Sequence, residues 1–197
     1  MTNDVVNKTR RRVLTGATTV VGAIGAVGAA VPFVGSWNPS AKAKAAGAPV
    51  QVNISKIEPG AMITVEWRGK PVYIVRRSEQ AIANLDKTDE LVSDPNSENP
   101  QQPAYAQNHT RSIKPEVLVL LGLCTHLGCA PMFRPEVGAQ DLGGDKWQGG
   151  FFCPCHGSKF DLAGRVYKGV PAPVNLEVPP HKYDNDNLLT IGVDQEA

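Results

Sequence analysis

At 197 residues the chain can hold one ordinary domain with extra segments, and 19 glycines and 16 prolines against few aromatics point to a turn-rich, β-dominated fold. Net charge is +1, but residues 1–45 carry six Lys/Arg against Asp4 alone, leaving 14 basic and 18 acidic residues in the remainder, a net of −4. A weakly acidic globular part without a basic face or stripe gives nucleic-acid binding no support.

Residues 13–41 contain no charge, and 13–34 form an apolar run of 22 residues, which reaches the roughly 20 needed to cross a bilayer core. The run is rich in Gly and Ala and only moderately hydrophobic. Ahead of it stands Thr9-Arg10-Arg11-Arg12-Val13-Leu14, which resembles the twin-arginine export signal, where paired arginines precede a weak apolar segment. The competing reading is a cleaved secretory peptide with Ala43-Lys44-Ala45 as its cleavage site. The length of the run and an interfacial aromatic at Trp37 favour an uncleaved anchor over residues 13–37. Residues 1–12 then stay cytoplasmic by the positive-inside rule, and the rest of the chain lies outside, in the periplasm. Gly22, Gly25 and Gly28 would let a neighbouring helix approach closely. Residues 38–49 are small, lack apolar periodicity and read as a linker.

From residue 50 the chain reads as strands. Residues 49–54 alternate weakly, and 62–67 and 71–77 form a hairpin around Arg68-Gly69-Lys70. Ser78 caps a short helix through about Leu85, and the polar, Pro/Asn-rich stretch 86–112 crosses the surface without regular structure. His109 within it, and His181 later, are expected to be surface histidines. Residues 116–123 are a buried strand, 135–150 a loop with a turn at Gly143-Gly144-Asp145, and 150–152 and 159–161 two short strands. Residues 162–165 turn back into Val166-Tyr167, and strands at 174–178 and 188–193 close the sheet beside a turn at 184–187. The pattern predicts an all-β antiparallel sandwich over residues 50–197.

The chemistry is concentrated in Cys124-Thr125-His126-Leu127-Gly128-Cys129 and Cys153-Pro154-Cys155-His156-Gly157-Ser158, which hold all four cysteines and two of the four histidines. Each stretch offers one Cys with one His, Cys124 with His126 and Cys153 with His156, and leaves one cysteine over. That symmetry suggests two facing loops that share a metal centre and are tied by a Cys129–Cys155 disulfide, a bond that persists in the periplasm. In a Rieske-type two-iron, two-sulfide cluster the protein supplies two thiolates to one iron and two imidazoles to the other, at a potential of roughly −150 to +300 mV. Cys124, Cys153, His126 and His156 fill that set with nothing missing. A structural zinc site pairs Cys with Cys and His with His, and would leave two cysteines unexplained. A plant-type ferredoxin reading lacks the required C-x2-C. Two structural disulfides with satisfied histidines are the bland alternative, and two matched halves weigh against it.

These two boxes resemble those of Rieske iron–sulfur subunits of cytochrome bc complexes, the quinol:cytochrome c oxidoreductases of respiratory membranes, with a proteobacterial flavour. The likeness extends over Val65-Glu66-Trp67-Arg68-Gly69-Lys70-Pro71-Val72, the run leading to Arg111-Ser112, and Gly169-Val170-Pro171-Ala172-Pro173. Rieske ferredoxins and ring-hydroxylating oxygenases share only the ligand pairs. The resemblance implies one [2Fe–2S] cluster on Cys124, His126, Cys153 and His156, in a cluster-binding subdomain of about residues 122–173. It implies that His156 hydrogen-bonds the quinol and accepts its proton, and that Ser158 donates to a bridging sulfide. Leu127, Gly128, Pro131, Pro154 and Gly157 would form an apolar docking tip. A proline loop at 171–173 would cover one side of the cluster, and 38–49 would be the hinge on which the domain swings. Many relatives carry a tyrosine two residues after the serine; Phe160 stands there in this chain. Ubiquinol is the implied electron donor. Cytochrome b and a c-type cytochrome are the implied partners, in a dimeric, membrane-anchored oxidoreductase and translocase. The alternatives are the Rieske subunit of a periplasmic molybdenum oxidase of the arsenite oxidase type, the plastoquinol-oxidising relative, and a zinc-stapled structural domain.

Overall fold

The computed structural model describes residues 7–194, so the first six residues of the expected cytoplasmic segment lie outside the described residues. The chain divides into two compact units at residue 45. The first is built on α1 (Lys8–Gly35), 28 residues and about 42 Å long at 1.5 Å per residue. Asn7 caps it by accepting from the Arg10 N–H at 3.1 Å. The hydroxyls of Thr15, Thr18 and Thr19 donate to carbonyls four residues back, so each finds its partner inside the helix, as an apolar solvent demands. The helix is long and apolar enough to cross a membrane. Beyond it, α2 (Ala41–Ala46) gives the expected linker a short helix. Its alternating Ala and Lys are good helix formers, and Ser40 accepts from the Ala43 N–H at 3.1 Å.

Among the described residues, the second unit contains three antiparallel sheets of three strands each. In chain order the elements are β1 (Val50–Asn53), β2 (Met62–Trp67), β3 (Lys70–Arg76), α3 (Glu79–Ala83), β4 (Val117–Leu121), β5 (Met132–Arg134), β6 (Gly150–Phe152), β7 (Lys159–Asp161), β8 (His181–Asn185) and β9 (Leu188–Ile191). The outer sheet runs β1-β9-β8, the middle sheet β2-β3-β4 and the third sheet β5-β6-β7. Val72, Ile74, Val117, Val119 and Leu121 pack one face of the middle sheet against Val52, Leu189 and Ile191 of the outer one. The alternate residues Tyr73, Val75, Leu118 and Leu120 pack the opposite face against Phe151, Phe160, Cys124 and Cys153. A strand covered on both faces must be apolar at every position, which is why β4 reads Val-Leu-Val-Leu-Leu without alternation.

The long excursion after α3 is held by buried guanidinium groups and by an antiparallel bridge between Val92 and Tyr167. Arg77 donates to the carbonyls of Pro115, Thr110 and Leu162, and Arg111 to those of Ala163 and Leu176. Burial lowers both to about 10, which leaves them cationic at neutral pH. Arg165 joins buried Asp161 at 2.7 Å and Asp89 at 2.7 Å. His109, its side chain 39% exposed, lies at the surface as expected, and it has a partner in Asp89 at 3.0 Å.

Three further expectations are corrected. Residues 174–178 alternate like a strand but form no ladder: Leu176 N–H donates to Gly164, Val178 N–H to Gln101, and the Glu177 carbonyl accepts from Leu121. Their backbone groups are divided among three neighbours, and prolines at 173 and 179 bound the stretch. His181 is fully buried, edge-on to Tyr105 at 5.6 Å, with its Nδ1 2.8 Å from the Pro179 carbonyl. The last strand stops at Ile191, and β5 and β8 are strands that the residue pattern did not announce.

Candidate metal centre

β4 leads into the first ligand loop, and β6 and β7 flank the second. The two loops repeat one hydrogen-bond pattern. Cys124 N–H donates to Cys129 O at 2.7 Å and Gly128 N–H to Cys124 O at 2.8 Å; Cys153 N–H donates to Ser158 O at 2.8 Å and Gly157 N–H to Cys153 O at 2.9 Å. Gly128 and Gly157 carry φ of +82° and +77°, the left-handed region that glycine enters without a Cβ clash. A glycine four residues after each first cysteine is therefore a requirement of the turn.

These turns bring the two Cys/His pairs together. The rings of His126 and His156 are 4.8 Å apart and nearly perpendicular. Cys124 and Cys153 are 3% and 2% exposed, and both are free thiols. Cys129 and Cys155 form a disulfide with their Cα atoms 6.7 Å apart. The sulfur of Cys153 lies within 4.8 Å of both disulfide sulfurs. Burial pushes the Cys124 thiol up, the Cys153 thiol beside it acts in the same sense, and the Ser158 hydroxyl opposes them. A thiol kept protonated by burial becomes a strong ligand when a metal's charge stabilises the thiolate. Two such thiols with two facing imidazoles are a donor set that fits a Rieske-type [2Fe–2S] cluster.

The proline stretch is tied to both loops. Ser158 Oγ, fully buried, accepts from the Ala172 N–H at 3.0 Å, and the Thr125 hydroxyl donates to the Val174 carbonyl at 2.7 Å. Phe160 is fully buried in the core cluster that contains Cys124 and Cys153 and brings no hydroxyl to it. At the surface Leu127 is 73% exposed, with Gly128, Pro154 and His156 exposed and Gly157 half-buried. Pro131, expected at this tip, is buried instead, because its carbonyl accepts from the Tyr73 hydroxyl at 2.9 Å and is drawn into the fold. Met132, 45% exposed, had not been expected among the exposed apolar residues. Thr125 and Tyr73 were missed as well. Thr125 lies inside the first box, where a hydroxyl beside a ligand is a signal; Tyr73 meets its partner 58 residues away, and no local pattern marks it.

Comparison with known proteins agrees with this donor set. Residues 49–180 match the Rieske [2Fe-2S] domain family, and residues 1–40 match the family described as Ubiquitinol-cytochrome C reductase Fe-S subunit TAT signal. The ubiquinol-cytochrome c reductase iron-sulfur subunit of Allochromatium vinosum is 63% identical over 190 residues, 96% of this chain and 91% of that one. The subunit of the same name from Blastochloris viridis is 42% identical over 191 residues, 96% of each chain. Among solved structures, a chain of a hyperthermophilic respiratory Complex III aligns over 88% of this chain and 98% of its own, with 26% identity and a TM-score of 0.47. Both the anchor region and the cluster domain match their own families, so the chain belongs to the Rieske iron–sulfur subunits of ubiquinol–cytochrome c reductase and carries a [2Fe–2S] cluster.

Proposed function

We propose that this chain takes an electron and a proton from ubiquinol and passes the electron to a c-type cytochrome, with Cys124, Cys153, His126 and His156 as the cluster ligands. The observation that carries this is the pair of facing imidazoles above two buried thiols, with His156 exposed beside the exposed Leu127. The cluster supplies reversible one-electron chemistry at a potential raised by its imidazole ligands. The chain's own residues do the rest. Exposed His156 presents a ring nitrogen to the quinol hydroxyl, orients it by a hydrogen bond and receives its proton. Leu127, Gly128, Pro154 and Gly157 form the apolar rim that docks on a partner subunit and keeps water from the transfer. Ser158 and Thr125 hold the proline stretch over the ligand loops, and the Cys129–Cys155 disulfide keeps the loops facing.

In this reading residues 13–37 anchor the subunit, residues 1–12 face the cytoplasm and residues 50–197 form the periplasmic domain, with 38–49 as its hinge. Cytochrome b and a c-type cytochrome are its partners in a dimeric, proton-translocating complex. The uncharged run from Val13 to the end of α1 and its internally satisfied threonines support the span. The test is electron paramagnetic resonance of dithionite-reduced membranes, followed by purification. A rhombic Rieske signal that ubiquinol also generates, in a complex that holds b and c haems, is the expected result. A Rieske signal that co-purifies with molybdenum and no b haem would overturn it in favour of the periplasmic oxidase.

A further inference from the structure

We infer that Tyr73 is a positioning residue for the metal centre, one side chain of the middle sheet that fixes three of the four ends of the two ligand loops. The inference rests on the ligand assignment proposed above. At the entry of the first loop, two residues before Cys124, Gly122 lies under the Tyr73 ring so closely that a Cβ there would stand 2.5 Å from ring carbons Cε1 and Cζ. The Gly122 N–H is itself bound to the Pro71 carbonyl at 2.8 Å, so the backbone is held against the ring. At the exit of that loop, two residues past Cys129, the Tyr73 hydroxyl donates to the buried Pro131 carbonyl at 2.9 Å. At the entry of the second loop, two residues before Cys153, Phe151 stacks on the Tyr73 ring, with centroids 6.0 Å apart and planes 13° from parallel. The remaining end, at Ser158, is held separately by the bond to Ala172.

A tyrosine that merely filled the core would need no hydroxyl, since phenylalanine has the same ring. The hydroxyl answers a carbonyl that the loop has carried out of water, and a buried acceptor left without a donor is costly. Through Pro131 it fixes where Cys129 sits, and through the disulfide it reaches Cys155 beside His156. The spacing of His126 and His156 thus depends on a residue outside both boxes.

The test is Tyr73→Phe in the full chain within its membrane complex, with Tyr73→Leu as a companion that also removes the stacking. Three quantities are read: the rate of cluster loss to an iron chelator, the midpoint potential, and the width of the paramagnetic signal. Tyr73→Phe is expected to assemble normally, to lose its cluster roughly fivefold faster, equivalent to one buried hydrogen bond of about 1 kcal/mol, and to show a broadened signal with a shifted potential. Tyr73→Leu is expected to lose the cluster faster still. Unchanged cluster loss, potential and line width in Tyr73→Phe would overturn the inference and leave the ligand assignment standing. A lower melting temperature with those three quantities unchanged would make Tyr73 a core residue only, and would overturn it equally. Absence of a Rieske signal from the wild-type complex would instead remove the ligand assignment, and this inference with it.

Discussion

In both ligand loops the first cysteine donates to a carbonyl five residues on, and a left-handed glycine four residues on donates back to that cysteine's carbonyl. The surroundings of the loops differ. The first carries the half-buried His126 and sends its Thr125 hydroxyl to the proline stretch. The second carries the exposed His156 and turns the fully buried Ser158 inward, where its hydroxyl accepts from the Ala172 N–H. Equal backbones make the two loops equivalent as sources of ligands. Their neighbours then give the second loop both the outward histidine and the inward hydroxyl, so under the proposed function proton exchange and tuning of the potential would fall on the same side.

Equivalence is tested most severely at the ligands. Cys124→Ala and Cys153→Ala, like His126→Ala and His156→Ala, should each abolish the cluster's paramagnetic signal and quinol oxidation completely, because four ligands leave no spare. An intact signal in any one of them would break the symmetry. The link between the loops comes next. Cys129→Ser and Cys155→Ser should destabilise the domain to the same extent, by about 3–4 kcal/mol in the chain-entropy model for cysteines 26 residues apart. Calorimetry of the two variants checks this, and losses far below that figure in both would show that the loops hold their shape without the bridge.

The hydroxyls sharpen the contrast. Ser158→Ala should lower the midpoint potential, by roughly 60–130 mV at most, since a donor to charged sulfur favours the electron-rich reduced cluster. Thr125→Val removes a bond to a backbone carbonyl, so it should cost stability of about 1 kcal/mol and move the potential far less. Redox titration of the pair decides, and equal shifts would deny the second loop its special role. Phe160→Tyr should raise the potential by a smaller amount, because the added hydroxyl enters the packed cluster of Cys124, Cys153 and Phe151 and displaces apolar contacts.

The smallest effect lies outside both loops. Burial holds the His181 imidazole below its ordinary pKa, while the Pro179 carbonyl and Asp194 pull it the other way. The unfolded chain therefore takes up a proton near pH 6.5 that the folded chain still refuses. Stability should fall as pH drops below about 6.5 and level off once the folded-state pKa is passed. His181→Phe should flatten that part of the melting-temperature profile. Because His181 lies between Tyr105 and Tyr183 on the outer sheet's side, the cluster spectrum should not follow it.

The features that can be read from the sequence are those whose logic is local. Cys-x-His and Cys-x2-His with one glycine at a fixed offset are enough to build each turn, since both backbone hydrogen bonds that close it span four or five residues. The apolar run of 22 residues behind paired arginines is likewise a property of consecutive residues, and α1 covers it. The apolar run at residues 116–123 announced a buried strand, and the structure adds that β4 is covered on both faces. Features that depend on distant partners emerge only in the folded chain. The burial of His181 needs the Tyr105 hydroxyl 76 residues away, and that of Pro131 needs Tyr73 58 residues away. Residues 174–178 alternate like a strand yet give their backbone groups to three separate segments. Periodicity records which side chains avoid water; it does not record which backbone group, from which distant stretch, satisfies the polar atoms that avoid water with them.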